Sequence, residues 1–160
     1  MPRRIAPLVI GSTVPPFEGK DMEGKPSLVD ARAARVNTVF YVFTPDCVWC
    51  GRNLANVQAI AASAGERYRL IGISLDPNVQ PYLRANNIDF PVLVNPSAQT
   101  IANYKLGPTP TTIVVAPSGD VVRIWQGAYG PDMVHDVATF FGISLPGLQA
   151  DDRSRAGGVR

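Results

Sequence analysis

Apolar residues along the chain fall into short runs that are bounded by turn-forming residues. The run from Val36 to Phe43 is largely apolar and rich in β-branched and aromatic residues. Such a run is typical of a strand that is buried on both faces of an α/β sheet. The same reasoning predicts further strands at Arg69–Leu75, Phe90–Val94, Thr111–Ala116 and Val121–Gln126.

Between these strands, apolar residues recur at helical spacing. Leu54, Val57 and Ala61 follow Cys50 with this spacing and predict a helix. The dipeptide Asp76-Pro77 predicts a second helix start, with the aspartate as the cap and the proline in the first turn. Strands that alternate with helices predict an α/β fold in which helices cover both faces of a mixed sheet. Further helices are predicted at Ser97–Tyr104 and Met133–Phe141.

The two ends of the chain have a different composition. Near the beginning, Phe17–Met22 and Ser27–Asp30 flank a Glu-Gly turn signal and predict a peripheral β-hairpin. At the other end, Gln149–Arg160 is rich in charged and small residues and lacks aromatic residues, so we expect it to be disordered. The predicted organisation is one domain over residues 8–145, followed by a disordered tail over residues 146–160.

Composition and charge exclude several classes of function. With 160 residues, of which 46% are hydrophobic, the chain is long enough to bury a core. A formal net charge of +2 is too small to predict nucleic-acid binding. No apolar run approaches the roughly 18 residues of a membrane span. Residues 1–7 lack the apolar core of a signal peptide, and the compartment stays open because a removed leader leaves no trace.

The two cysteines of the chain, Cys47 and Cys50, lie three positions apart where the Val36–Phe43 strand gives way to a helix. Backbone N–H groups at a helix N-terminus stabilise a thiolate, which predicts Cys47 as the nucleophile of a redox-active pair. Zinc is the competing use of such a pair, but a tetrahedral site needs about four ligands and His135 is the single histidine. We therefore expect neither a metal nor an organic cofactor.

Several motifs together resemble the thioredoxin superfamily, in particular the TlpA/ResA-like thiol–disulfide oxidoreductases, which overlap the redoxin and AhpC-TSA-like group. The resemblance covers roughly residues 8–142 and implies a thioredoxin-like fold, with a central mixed sheet flanked by helices and an N-terminal hairpin extension. The motifs besides the cysteine pair are Gly11-x-x-x-Pro15-x-Phe17, Asp89-Phe90-Pro91-Val92 and Gly107-Pro108-Thr109-Pro110-Thr111-Thr112.

The resemblance also implies a site. It implies that Pro110 is a cis proline that lies against the disulfide. It also implies that Thr109 contributes the peptide bond that precedes this proline. X-Pro is the one dipeptide in which the cis form costs only ~0.5–1 kcal/mol. Trp49 stands between the cysteines, where burial is difficult, and we expect it to shape the surface that meets a partner. Trp49, Thr109 and Pro110 are therefore the predicted substrate contacts.

Three positions depart from the pattern of the family. Asp46 precedes the nucleophile, and its charge would raise the pKa of the Cys47 thiol unless capping hydrogen bonds absorb that charge. Tyr41 and Asn53 occupy the positions at which thioredoxins and ResA-like proteins, respectively, carry an acidic residue. Neither side chain can take up a proton at neutral pH as a carboxylate does. The proton acceptor is thus unassigned, and Asp46 is a tuning residue.

The predicted function is thiol–disulfide exchange by a monomer, in the reducing direction, on protein or small-molecule disulfides. Electrons come from an unidentified thiol–disulfide donor. Two alternatives stay open. Thr44 and Arg123 lie where peroxiredoxins carry peroxide-activating residues, although Phe40 replaces the expected proline, so Cys47 is also a candidate peroxidase nucleophile. A non-enzymatic redox-sensing interaction module is the other alternative.

We expect Trp125 and Tyr129 to be core or rim aromatic residues.

Overall fold

In the computed structural model, which describes residues 7–150, a five-stranded sheet and a separate two-stranded hairpin are packed with four α-helices. A short 3-10 helix, Ala31–Ala33, links the hairpin to the sheet. The elements in chain order are β1 (Phe17–Lys20), β2 (Pro26–Val29), β3 (Asn37–Phe43), α1 (Val48–Ala62), β4 (Tyr68–Ser74), α2 (Gln80–Ala85), β5 (Val92–Leu93), α3 (Ala98–Tyr104), β6 (Thr111–Val115), β7 (Val121–Gln126) and α4 (Val134–Phe141).

The large sheet has the strand order β5-β4-β3-β6-β7 and is mixed. The central strand β3 runs parallel to β4 and antiparallel to β6, and β7 pairs antiparallel with β6. β1 and β2 form an antiparallel pair outside this sheet. The predicted mixed sheet with an N-terminal hairpin is therefore confirmed, and the fold is thioredoxin-like.

β3 is buried on both faces, as its apolar sequence predicts. Val39, Tyr41 and Phe43 point into one core cluster, which also contains residues of α1, α2 and α4. Phe40 and Val42 point into a second cluster, which contains Tyr104 of α3 and residues of the hairpin. Alternation along the strand thus supplies two cores, one on each side of the sheet.

The predicted helix start at Asp76-Pro77 is wrong. The helix α2 begins at Gln80, with Val79 at the N-cap position and Pro81 in the first turn. The carboxylate of Asp76 accepts a hydrogen bond from the backbone N–H of Asn78 at 2.9 Å. This local Asx turn uses the side chain that the sequence suggested as a cap, and it delays the helix by one turn.

β5 is shorter than the predicted strand Phe90–Val94. It comprises Val92 and Leu93, which pair with β4. Val94 instead exchanges two backbone hydrogen bonds with Lys20 of the hairpin, at 2.7 and 2.8 Å. Because its N–H and C=O are already paired with β1, Val94 leaves the large sheet and ties the hairpin to the edge of the domain.

Backbone contacts continue past residue 145. Gly147 donates its N–H to the Oδ1 atom of Asn56 at 2.8 Å, and Gln149 donates its N–H to the carbonyl of Arg52 at 2.9 Å. The rest of the predicted tail, residues 151–160, lies outside the described residues, so the domain boundary stays a prediction. No helix within residues 7–150 combines the length and apolar content that a membrane crossing needs.

Candidate active site

The two cysteines form a disulfide at the N-terminus of α1, immediately after β3, with their Cα atoms 5.2 Å apart. Cys47 is the N-cap residue of this helix and has an extended backbone conformation. Its Sγ atom accepts a hydrogen bond from the backbone N–H of Cys50 at 3.1 Å. The same N–H would stabilise a thiolate on Cys47 when the disulfide is open.

The two sulfur atoms differ in accessibility. Cys50 is 1% exposed and packs in the core cluster that also holds Tyr41 and Val57. Cys47 is partly exposed and packs only against the edge of this cluster. An incoming sulfur atom can therefore reach Cys47 but not Cys50.

The loop before β6 lies at the same end of the sheet as the disulfide. Val42 of β3 pairs with Thr111 of β6 in antiparallel orientation, so the chain after Phe43 and the chain before Thr111 meet at one edge. The Thr109–Pro110 peptide bond in this loop is cis. Pro110 is buried and its carbonyl accepts a hydrogen bond from Gly127 at 2.7 Å, whereas Thr109 is partly exposed.

Two exposed apolar side chains lie beside the disulfide, with charged residues next to them. Trp49 is 51% exposed and Val48 is 41% exposed, so two adjacent apolar side chains face solvent next to Cys47. The guanidinium of Arg52 lies over the Trp49 ring, 4.4 Å from its centroid. Asp46 is exposed and precedes the N-cap, so Asp46 does not cap the helix and its charge faces solvent.

A buried cluster of neutral polar side chains lies behind the cysteines. The amide of Asn53 donates from Nδ2 to the hydroxyl of Tyr41 at 3.4 Å. Its Oδ1 atom accepts from Nδ2 of Asn56 and from the backbone N–H of Tyr129, each at 3.1 Å. The hydroxyls of Tyr129 and Thr112 are 2.6 Å apart. Asn53 thus links α1 to β3 and to the segment after β7.

Sequence reasoning named Tyr41 and Asn53 but missed the connection between them. It did not name Asn56, it gave Thr112 only as part of a family motif, and it treated Tyr129 only as a core or rim aromatic residue. One signal was present: two asparagines, three positions apart, interrupt the apolar face of α1 that carries Leu54 and Val57. Polar residues on such a face are expected to pair with buried partners.

No member of this cluster can accept a proton at neutral pH. Burial raises the pKa of Tyr41 well above 10 and also raises the pKa of Tyr129. Both phenols are therefore neutral, and amides and hydroxyls do not titrate in this range. The cluster behind the cysteines therefore supplies no base that could take a proton from Cys50.

The same burial predicts a loss of stability in alkali. Tyrosines of the unfolded chain ionise near pH 10, whereas Tyr41 and Tyr129 keep their protons in the folded protein. Stability should be independent of these groups below about pH 10 and should fall above it, by about 1.4 kcal/mol per pH unit for each tyrosine. Urea unfolding between pH 8 and pH 11 measures the summed slope, to which Tyr68 and Tyr104 also contribute because burial raises their pKa values. Tyr41→Phe should make it shallower, and an unchanged slope in that variant would contradict the assignment.

The remaining candidate residues are Arg123, His135 and the two aromatic residues Trp125 and Tyr129. The guanidinium of Arg123 lies 5.1 Å from the ring centroid of Phe140 and donates to the carbonyl of Val122, so it gives the peroxidase alternative no support. His135 is exposed on α4. Trp125 is 5% and Tyr129 1% exposed, which confirms both as core aromatic residues.

Residues 10–124 match the model of the AhpC/TSA family. The chain belongs to this family. The resemblance to the TlpA/ResA-like branch of the thioredoxin superfamily is confirmed, because curated relatives include ResA, a thiol-disulfide oxidoreductase, from two bacteria. ResA of Bacillus subtilis is 31% identical over 36% of this chain and 32% of its own length, and ResA of Geobacillus thermodenitrificans is 26% identical over 75% and 71%.

Solved structures agree with the family at the level of the fold. StoA from Bacillus subtilis superposes with a TM-score of 0.61 at 21% identity, covering 73% of this AhpC/TSA chain and 92% of StoA. The thioredoxin domain of a thiol-disulfide oxidoreductase from Bacteroides vulgatus superposes with a TM-score of 0.68 at 17% identity, covering 84% and 99%. Identities this low support a shared thioredoxin-like fold and nothing finer.

Proposed function

We propose that the chain is a thiol–disulfide oxidoreductase that works as a monomer in the reducing direction. The observation that carries the exchange activity is the asymmetry of the cysteine pair, whereas the reducing direction rests on the resemblance to the TlpA/ResA-like proteins. Cys47 is partly exposed and receives the N–H of Cys50, whereas Cys50 is 1% exposed behind it. A nucleophile needs access and a stabilised thiolate, and a resolving thiol needs only to reach the first sulfur.

In the first step, the Cys47 thiolate attacks one sulfur of a substrate disulfide. A bond forms between Cys47 and that sulfur, the substrate S–S bond breaks, and the other substrate sulfur leaves as a thiolate that takes up a proton. The helix N-terminus favours the reactive thiolate before the attack. Trp49, Thr109 and Pro110 are the proposed contacts for the substrate around this mixed disulfide.

In the second step, Cys50 loses its proton to solvent or to the departing thiolate and attacks the sulfur of Cys47. The Cys47–Cys50 bond forms, the mixed disulfide breaks, and the second substrate thiol is released. The substrate has then gained two electrons and two protons, and the cysteine pair has lost them. A dithiol donor reopens the pair by the reverse exchange.

The relatives support this proposal by name, since those described above are called thiol-disulfide oxidoreductases. The match to the first of them spans 32% of its length, so substrates and the electron donor are proposed here on chemistry alone. Protein disulfides and small-molecule disulfides are the proposed substrates, and the proposed donor is a protein or small-molecule dithiol.

The reduction potential of the Cys47–Cys50 pair tests the direction of electron flow. We expect a potential near that of reducing thioredoxins, about −270 mV, together with dithiol-dependent reduction of insulin. A potential near about −120 mV would assign the protein as an oxidant instead. Slow turnover with dithiols, together with a partner whose binding depends on the redox state of the cysteine pair, would favour a sensing module. Peroxide reduction at peroxidase rates that is lost in Arg123→Ala would favour the peroxidase.

Asp46 is proposed to tune the nucleophile. Its exposed carboxylate disfavours a second negative charge on the neighbouring sulfur, so Asp46→Asn should raise the thiolate fraction of Cys47 near neutral pH. Because solvent screens an exposed charge, we expect a change of about twofold to fivefold, smaller at high salt. Ultraviolet thiolate absorbance against pH, in a Cys50→Ser background, measures it.

Asp89→Asn is the matched control, since Asp89 is exposed and precedes β5, at the end of the parallel strands opposite the cysteines. It should leave the thiolate fraction unchanged. A lower thiolate fraction in Asp46→Asn would contradict the tuning role and would mean that Asp46 maintains the geometry of the motif.

A further inference from the structure

The segment after α4 lies along α1 and runs toward the cysteines. Gly147 binds the side chain of Asn56, and two residues later Gln149 binds Arg52, which is one helical turn nearer to the disulfide. Increasing residue numbers in the segment therefore match decreasing numbers in α1. The segment is antiparallel to the helix that carries the redox pair.

Arg52 joins this segment to Trp49. Its backbone carbonyl accepts the N–H of Gln149 at 2.9 Å, and its side-chain Nε donates to the carbonyl of Gln149 at 3.0 Å. The same guanidinium lies 4.4 Å from the centroid of the Trp49 ring. Trp49 and Arg52 are three positions apart and so share one face of the helix.

The anchor of the segment is buried. Asn56 is fully buried, and its Nδ2 donates to Asn53 while its Oδ1 accepts from Gly147. The amide of Asn56 thus forms hydrogen bonds with both of its polar atoms. Its nitrogen binds the polar cluster behind the cysteines, and its oxygen binds the C-terminal segment. The position of the segment is tied to the same cluster that links α1 to β3.

We propose that Arg52 and Gln149 are positioning residues that hold the Trp49 indole beside the disulfide, and that the held indole selects disulfides carried on a polypeptide. This inference rests on the proposed function. Trp49 is 51% exposed, so its ring has free area to contact the chain that flanks a substrate cysteine. A ring fixed before binding loses less conformational freedom when a partner arrives.

A small disulfide does not need this contact. The sulfur atoms of a small disulfide can approach Cys47 while most of the indole of Trp49 stays uncovered. Loss of the Arg52–Gln149 contact should therefore weaken the binding of protein disulfides and leave the exchange chemistry of the cysteines intact. A general defect of the redox pair would affect both kinds of substrate.

The experiment compares two ways of breaking the contact with two controls. Arg52→Gln removes the guanidinium, and a chain ending at Pro146 removes the segment together with its hydrogen bond to Asn56. The controls are a chain ending at Ala150, which retains residues 147–149, and Arg84→Gln, which removes the same charge from an exposed position on α2. Each is assayed with insulin and with a small aliphatic disulfide, which has no ring to stack on the indole. Acrylamide quenching of tryptophan fluorescence reports mainly on Trp49, because Trp125 is 5% exposed.

We expect KM for insulin to rise about threefold in Arg52→Gln and in the Pro146 chain, with kcat, the reduction potential and the rate on the small disulfide unchanged. Quenching of Trp49 should increase in both, and neither control should differ from wild type. Combining the two changes should raise KM little beyond the Pro146 chain alone, since that chain already lacks the Arg52–Gln149 contact. If the Pro146 chain fails to fold, Arg52→Gln decides.

Two results would overturn the inference. One is an equal loss on both substrates, and the other is an unchanged KM for insulin in Arg52→Gln. These are distinct from failure of the proposed function, in which the wild-type protein would reduce neither disulfide with a dithiol donor.

Discussion

Cys50→Ser should accumulate a covalent mixed disulfide with its substrate through Cys47, and Cys47→Ser should abolish exchange. Cys47 is the accessible sulfur and receives the backbone N–H of Cys50, whereas Cys50 is 1% exposed and serves only to resolve the intermediate. A serine at position 47 supplies no thiolate, so the rate of insulin reduction should fall by roughly three orders of magnitude. A serine at position 50 allows the first step and blocks the second.

Non-reducing gel electrophoresis and mass spectrometry detect the trapped mixed disulfide and identify the cysteine that carries it. The Cys47→Ser/Cys50→Ser double variant is the control for adducts that form elsewhere, although the chain has no third cysteine. If Cys47→Ser traps substrate and Cys50→Ser does not, the roles of the two sulfurs are reversed. Reversal would also remove the support that the helix N-cap gives to the proposed function.

Asn53→Leu should destabilise the oxidised protein by at least about 3 kcal/mol. Leucine has the same branched arrangement of heavy atoms but makes none of the three hydrogen bonds of this side chain, to Tyr41, Asn56 and the backbone N–H of Tyr129. All three partners are buried, and each buried polar group that loses its partner costs about 1–3 kcal/mol. The loss is large because water cannot replace the missing partner.

Urea unfolding followed by circular dichroism measures this change. Asn103→Leu is the matched control, because Asn103 lies on α3 and its Oδ1 accepts from Gln99 in an exposed pair. Its effect should stay within about 0.5 kcal/mol, as is usual for surface substitutions. Equal effects of the two substitutions would mean that the buried cluster contributes nothing beyond an ordinary surface contact.

The local pattern of the sequence predicted much of the fold. The apolar strand ending at Phe43, the helix after it and the final hairpin depend on contacts between residues that are close in the chain or on simple burial. The chemistry of the Cys47–Cys50 pair was equally readable, because two cysteines at a strand–helix junction have few other uses. Exposure of Trp49 followed from its place between them.

Errors arose where neighbouring groups competed for the same backbone atoms. Asp76 had the residue type of a helix cap, yet its carboxylate binds the N–H of Asn78 and the helix starts later. Val94 had the residue type of a sheet strand, yet its backbone is taken by Lys20 of the hairpin. In both cases the residue type suits the predicted element. The structure differs because a hydrogen-bond partner that the local sequence pattern does not specify binds the group that the element would have used.

The sequence by itself determined the strand and helix types, the redox pair and the family, since these depend on short-range spacing. Tertiary structure alone decided which sulfur is accessible and what lies behind the disulfide. The bond from Tyr129 to Asn53 spans 76 positions, that from Gly147 to Asn56 spans 91, and that from Arg52 to Gln149 spans 97. Hydrogen bonds at such separations depend on how the sheet, α1 and the C-terminal segment pack together, and no periodicity in the chain encodes that packing.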